Sequence, residues 1–245
     1  MNIIEALSRK PFSIVGHRGA KGLAPENTLK AIGTALKLGV DAVEVDVRTT
    51  SDGKLILLHD EDFWRVAGVK AKPKEMTYDE IRYKIRINGE HVPTLKEAIE
   101  LINGRAGLLV EIKEPETVDR IVDVLREYGF PKWIALISFY EEALAKVLKE
   151  KVALGLIYSK PPGKIVEAKR IGAKIVLPHF RLATKKAVNF AHKLGLKVVA
   201  WTVNDISTLA KTLENGVDAV ATDYPNLALD FRASKVSLGK PDRFV

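Results

Sequence analysis

This sequence predicts an α/β protein of the (β/α)8 TIM-barrel class, a single domain with a short insertion after strand two. Three observations predict it. Short apolar runs alternate with helical patterns from one end of the chain to the other. The runs are rich in Val, Ile and Leu and almost continuously apolar, as strands buried on both faces are. The length of 245 residues is also ordinary for such a barrel.

Strand runs fall at 12–16, 41–47, 54–58, 107–112, 133–138, 152–157, 173–177, 196–202 and 217–222. Helical patterns lie near 28–38, 76–84, 94–103, 116–128, 140–150, 163–171, 184–194, 205–215 and 224–231. Thr94, Thr184 and Asn204-Asp205 stand where capping side chains open helices. Gly39, Gly172, Gly195 and Gly216 stand between a helix and the next strand, where a left-handed residue closes the helix. The run Leu55-Ile56-Leu57-Leu58 follows a hairpin-type turn, Ser51-Asp52-Gly53-Lys54, and reads as a local extension of strand two. Eight parallel strands remain. Residues 60–93 break the rhythm, and a connection of that length is expected to carry its own helix and lie over the barrel mouth as part of a substrate cover. No Gly-x-Gly-x-x-Gly turn supports the runner-up, a doubly wound open sheet. No linker or composition shift divides residues 1–245.

Composition narrows the function classes. The chain has no cysteine, which excludes disulfides, a thiolate nucleophile and Cys-ligated metal. No apolar run reaches the length of a membrane span, and the N-terminus lacks a signal pattern, so the expectation is a soluble cytoplasmic protein with no stable membrane insertion. A formal charge of +8 favours anionic partners. The lysines are interspersed with glutamates in helical patterns such as 145–151, without a basic tail or an aromatic-basic run. That distribution suits a solvated surface and a small anionic substrate, and argues against nucleic acid.

In a barrel, chemistry gathers at the C-terminal ends of the strands. Those positions hold His17, Arg18, Glu44, Asp46, His59, Glu111, Lys113 and Trp201, with Asp223 as a further candidate. Glu44 and Asp46 lie two apart in a strand and so share a face, with Val43, Val45 and Val47 on the other. Two carboxylates at 4 Å repel by about 4 kcal/mol at an effective dielectric near 20, and a divalent cation is the simplest offset. Glu111 repeats the pattern one strand on and offers a third oxygen. An all-carboxylate site suits one Mg2+, Ca2+ or Mn2+ ion rather than zinc. Salt bridges with Arg18, Arg48 and Lys113 are the alternative reading. Arg18 has the planar fork suited to phosphate, and Lys113 pairs with a phosphate oxygen or neutralises Glu111. His17 and His59, at the ends of different runs, suit base and acid on opposite sides of a scissile bond. Asp60 orients His59 or caps the next turn. Glu26 caps a helix, binds a substrate hydroxyl or supports the arginine, and Trp201 offers an apolar wall. His179 and Phe139 are weaker candidates for the rim.

Taken in order, these residues resemble a known family. Gly16-His17-Arg18-Gly19 with Ala24-Pro25-Glu26-Asn27-Thr28, then Glu44-Val45-Asp46-Val47, His59-Asp60, Glu111-Ile112-Lys113 and Trp201-Thr202-Val203-Asn204, look like the glycerophosphodiester phosphodiesterases. The resemblance spans residues 12 to about 230. It implies a barrel and metal-dependent hydrolysis of glycerophosphodiesters to glycerol 3-phosphate and an alcohol, with the substrate's own glycerol hydroxyl as attacker and a cyclic phosphate that water opens. It assigns metal ligation to Glu44, Asp46 and Glu111, acid–base work to His17 and His59, and phosphate contacts to Arg18 and Lys113, with Glu26 and Asn27 in support. One departure bears on head-group preference. After His59-Asp60 the family pattern places a threonine- and glycine-rich stretch behind an arginine, whereas this chain reads Glu61-Asp62-Phe63-Trp64-Arg65-Val66-Ala67-Gly68. The rival readings are a phospholipase D-like activity on lysophospholipids and a non-catalytic barrel that binds phosphate or lipid head groups.

Overall fold

The computed structural model describes residues 1–238. Its strands are β1 (Ser13–Gly16), β2 (Ala42–Thr49), β3 (Leu55–Leu57), β4 (Gly107–Ile112), β5 (Ile134–Ser138), β6 (Ala153–Tyr158), β7 (Ile175–Pro178), β8 (Lys197–Ala200) and β9 (Ala219–Thr222). Pairing runs β1-β9-β8-β7-β6-β5-β4-β2, and a β1–β2 pairing closes the ring into an eight-stranded parallel barrel. β3 stays outside the ring, antiparallel to the far end of β2 with Leu57 opposite Val47. The helices are α1 (Ile3–Ala6), α2 (Leu29–Leu38), α3 (Trp64–Ala67), α4 (Tyr78–Lys84), α5 (Leu95–Ile102), α6 (Val118–Glu127), α7 (Glu141–Lys146), α8 (Ile165–Arg170), α9 (Lys185–Lys193), α10 (Ile206–Glu214) and α11 (Pro225–Leu238). Among the described residues, no helix is long and apolar enough to cross a membrane.

The predicted boundaries have local causes. Thr94, Thr184 and Asp205 each accept a hydrogen bond from the backbone three residues on, and Glu97 completes a capping box with Thr94. Gly39, Gly172, Gly195 and Gly216 all take positive φ after their helices. Several elements run shorter than predicted, most clearly α7, which stops at Lys146, and β8, which stops at Ala200, where the Trp201 indole Nε1 donates to the Leu177 carbonyl at 2.7 Å.

Strand alternation builds two cores. Val43, Val45 and Val47 face outward onto helix residues such as Leu95, Ile99 and Ile121. Val15, Ala42, Leu109, Ile137, Ile157 and Val199 fill the barrel interior. The interior is closed from below by Ile3, Ala6 and Leu7, which belong to α1 and its cap. A helix of four residues is too short to show periodicity, and the local signal of α1 is confined to its capping box, Asn2 with Glu5.

The insertion has its own small core of Ile56, Leu58, Phe63, Ile81, Ile85 and Val92. It carries α4 at the predicted place and, in addition, α3. It is not the predicted cover. No residue from 60–93 lines the cavity bordered by His17 and His59, while Glu61, Lys72, Pro73 and Lys74 line an adjoining one together with Glu111 and Lys113. Apolar residues on α4 and the β3 side bury against each other, and this turns the insertion into a side wall.

Candidate active site

The turn after β1 is forced into one shape by two glycines. A Cβ on Gly16 would lie 2.1 Å from the Gly19 carbonyl oxygen, and one on Gly19, at φ +85°, would lie 2.6 Å from the Ala31 backbone in α2. Between them the chain turns so tightly that the Arg18 amide donates to the Glu44 carboxylate at 2.9 Å and the Gly19 amide to the Glu44 carbonyl at 3.1 Å. The loop thereby fixes the first carboxylate of β2.

Register supplies the rest of the acidic cluster. Asp46 on β2 sits directly beside Glu111 on β4, and Glu44 beside Leu109. Neighbouring strands are about 4.8 Å apart, so residues in register on one face must touch. Glu44, Asp46 and Glu111 bring ligand oxygens within 4.8 Å of one another. These residues fit a divalent cation, because Glu44 Oε1 and Asp46 Oδ1 are buried and accept no hydrogen bond. Electrostatics agrees. Burial, followed by repulsion from Asp46 and Glu111, pushes the Glu44 carboxyl well above its ordinary pKa. Burial and the nearby Asp46 push Glu111 up to about 7. Burial also opposes the charge on Asp46, but Lys113, Arg18 and His59 outweigh it and hold that carboxyl well below its ordinary range.

The two predicted histidines face this cluster in matching ways. His17 Nδ1 lies 2.6 Å from Asp223 Oδ1, with Nε2 at 3.9 Å from Glu44. His59 Nδ1 lies 2.6 Å from Asp60 Oδ1. A carboxylate on Nδ1 fixes the ring and leaves Nε2 as the nitrogen not engaged by that carboxylate. Burial holds the His59 pKa below its usual value. The Asp60 oxygens bond the side chains of His59 and Arg65.

The cations are paired with carboxylates. Arg18 Nη1 donates to Glu26 at 2.7 Å, with Nε 3.2 Å from Asp46. Lys113 Nζ donates to Glu111 at 2.8 Å and lies 3.5 Å from Asp46. Glu26 is not a helix cap, since Thr28 caps α2. Asn27, at φ 54°, donates to Asp46 from its amide and accepts from the Asp46 backbone. Trp201 stands on the apolar side with its ring edge-on to Phe139, centroids 5.7 Å apart.

These groups border a cavity of about 390 Å3 that is polar toward β1, β2 and β4 and apolar toward Ile157, Leu177 and Trp201. All the predicted mouth residues except Asp46 line it; Asp46 sits just beneath, only 1% exposed. His179 stacks edge-on against Trp201 at 5.6 Å without lining the cavity. Sequence reasoning missed the contacts that three residues make in the site. Asn204 donates to Asp223 at 2.9 Å, and Arg48 donates to the His59 carbonyl at 2.9 Å. Arg65 bridges Glu26 and Asp60. A signal for Arg65 existed, since it is the arginine that follows His59-Asp60.

Residues 17–227 match the model of the glycerophosphoryl diester phosphodiesterase family. A glycerophosphodiester phosphodiesterase of Caldanaerobacter subterraneus subsp. tengcongensis is 30% identical over 236 residues, which span 89% of this chain and 96% of that protein. Among solved structures, one from Silicibacter pomeroyi superposes with a TM-score of 0.87 at 27% identity, covering 95% of this chain and 97% of its own. An Oleispira antarctica phosphodiesterase, solved with the product sn-glycerol-3-phosphate, superposes with a TM-score of 0.82 at 29% identity, covering 91% of this chain and 96% of its own.

Proposed function

The chain belongs to the glycerophosphoryl diester phosphodiesterase family, and from that premise we propose that it hydrolyses glycerophosphodiesters to glycerol 3-phosphate and an alcohol. The observation that carries the reading is the convergence of two carboxylate-anchored imidazoles, His17 on Asp223 and His59 on Asp60, upon one acidic cluster in one cavity. The product held by the Oleispira antarctica relative supports the substrate class.

His17 and His59 divide the proton transfers. One takes the proton from the attacking oxygen and the other delivers one to the departing alcohol oxygen. Asp223 and Asp60 keep each ring in a single tautomer throughout. Arg18 and Lys113 bind the phosphoryl oxygens, and the Trp201 side of the cavity takes the carbon skeleton. Glu44, Asp46 and Glu111 would hold one divalent cation, Mg2+, Ca2+ or Mn2+. When bound, it supplies Lewis-acid stabilisation of the charge on the phosphoryl oxygens. Glu26 and Asn27 keep Arg18 and Asp46 in place. One barrel domain carries the whole site and acts in the cytoplasm on a small anionic diester.

Product analysis on a mixed panel of glycerophosphodiesters, with Mg2+, Ca2+ and Mn2+ supplied separately, tests the reading. Release of glycerol 3-phosphate is expected with at least one metal and is lost in EDTA. No release with any of them overturns the function, and full activity in EDTA overturns the metal.

A further inference from the structure

Arg65 lies on α3, in the insertion, and lines no part of the mouth cavity. Its guanidinium nevertheless binds two carboxylates that belong to different parts of the site. Nε donates to Asp60 Oδ2 at 2.6 Å, while Nη1 and Nη2 donate to the two oxygens of Glu26 at 2.8 and 2.7 Å. Each carboxylate then reaches inward. Asp60 holds His59 through its other oxygen, and Glu26 holds Arg18, again at 2.7 Å. Glu26 is 8% exposed and 39 residues from Arg65 in sequence, so the tie joins the loop after β1 to the insertion.

We propose that Arg65 is the positioning residue that locks His59 and Arg18 into one arrangement, so that the insertion serves turnover as a brace rather than as a cover. The inference rests on the phosphodiesterase reading above. Its physical basis is the geometry of the fork. A planar guanidinium grips one carboxylate through two parallel bonds and keeps Nε for a second, which the single ammonium of lysine cannot reproduce. With the fork in place, Asp60 has one oxygen on Arg65 and one on His59, so its plane is fixed and the imidazole with it. Without it, Asp60 is free to rotate away, and Glu26 is a buried carboxylate with Arg18 alone to satisfy it. Arg18 is then drawn toward Glu26 and away from the cavity. Partners that orient first contacts in this way typically matter by roughly 10–100-fold in activity.

The test compares Arg65→Ala and Arg65→Lys with the wild type, each supplied with metal and each checked for folding by circular dichroism and Tm. Two measurements are made: kcat on a glycerophosphodiester, and the NMR signal of the hydrogen-bonded Nδ1 proton of His59, with that of His17 as internal control. We expect kcat to fall roughly 10–100-fold in both variants. The His59 proton signal is lost or broadened while that of His17 persists, and millimolar guanidinium restores part of the activity of Arg65→Ala. A kcat within about threefold of wild type in Arg65→Ala overturns the proposal, whatever happens to Tm. If the wild type turns over no glycerophosphodiester, the functional reading itself fails and the proton signal decides alone: its loss in Arg65→Ala supports the brace, and its retention overturns it.

Discussion

His17 and His59 each reach the cavity with one nitrogen held by a carboxylate. His17→Ala and His59→Ala are therefore expected to lower kcat by about 10²–10⁴-fold or more while the circular dichroism spectrum is unchanged. Near-normal turnover in either variant would remove the two-histidine scheme. The glycines beside His17 act differently, through space rather than chemistry. A methyl on Gly16 would meet a backbone oxygen at 2.1 Å, a collision that no side-chain rotation relieves. Gly16→Ala is expected to cost about 1–3 kcal/mol, read as a lower urea midpoint, and to impair turnover by displacing His17 and the Arg18 amide from Glu44. The identities of these residues were legible in the sequence because each chemical type is rare at a strand end. Their partners were harder to read: Asp223 lies 206 residues from His17.

Among the elements, the junction of β8, β9 and α9 rests on one carboxylate. Asp218, in the turn before β9, accepts from the Val198 amide at 2.9 Å, from Lys197 Nζ at 2.8 Å and lies 2.7 Å from His192 Nε2. Burial opposes its charge, but these three donors outweigh it and hold the carboxyl below its ordinary pKa. A group whose pKa is depressed on folding stabilises the protein above its unfolded value, near 3.9, and loses that contribution as pH falls through the folded value. Asp218→Asn is thus expected to destabilise by roughly 1.5–3 kcal/mol at neutral pH. The gap from wild type should close as urea unfolding is repeated at progressively lower pH below about 4. A gap independent of pH would show that the charge of Asp218 is not what matters. Elements themselves were the most legible level: caps, closing glycines and apolar runs are local signals. The exceptions are instructive. α1 and α3 have four residues each, too few for a period, and both are held by tertiary contacts, α1 by the barrel interior and α3 by the Arg65 bridge.

At the scale of the whole molecule, the barrel must be shut at its lower end as well as open at its mouth. Below, Asp41 joins three separate stretches of chain. It accepts from the Ile14 amide at 2.8 Å, pairs with Arg9 at 3.2 Å, and binds Arg232 of α11, which also donates to the Phe12 carbonyl at 3.2 Å. The Asp41 side chain is wholly buried, so removing it strands the charge of a largely buried arginine. Asp41→Ala is expected to cost about 3–5 kcal/mol, visible as a large drop in Tm. At a temperature where the variant is folded, kcat should be close to that of wild type, because this cluster lies at the opposite end from the cavity. A loss of kcat in the folded variant would argue that the two ends are coupled.

By itself the sequence determined the alternation of strands and helices, the faces of each strand, and the set of acids, bases and cations at the strand ends. These follow from periodicity and residue chemistry, which act within a few positions along the chain. Only the tertiary structure decided that Asp46 stands beside Glu111, that Asp223 holds His17, that Arg65 ties the insertion to both Glu26 and Asp60, and that the insertion is a wall rather than a cover. Closing a parallel barrel sets the register between strands far apart in sequence, and no local pattern encodes which side chains that closure brings within hydrogen-bonding distance.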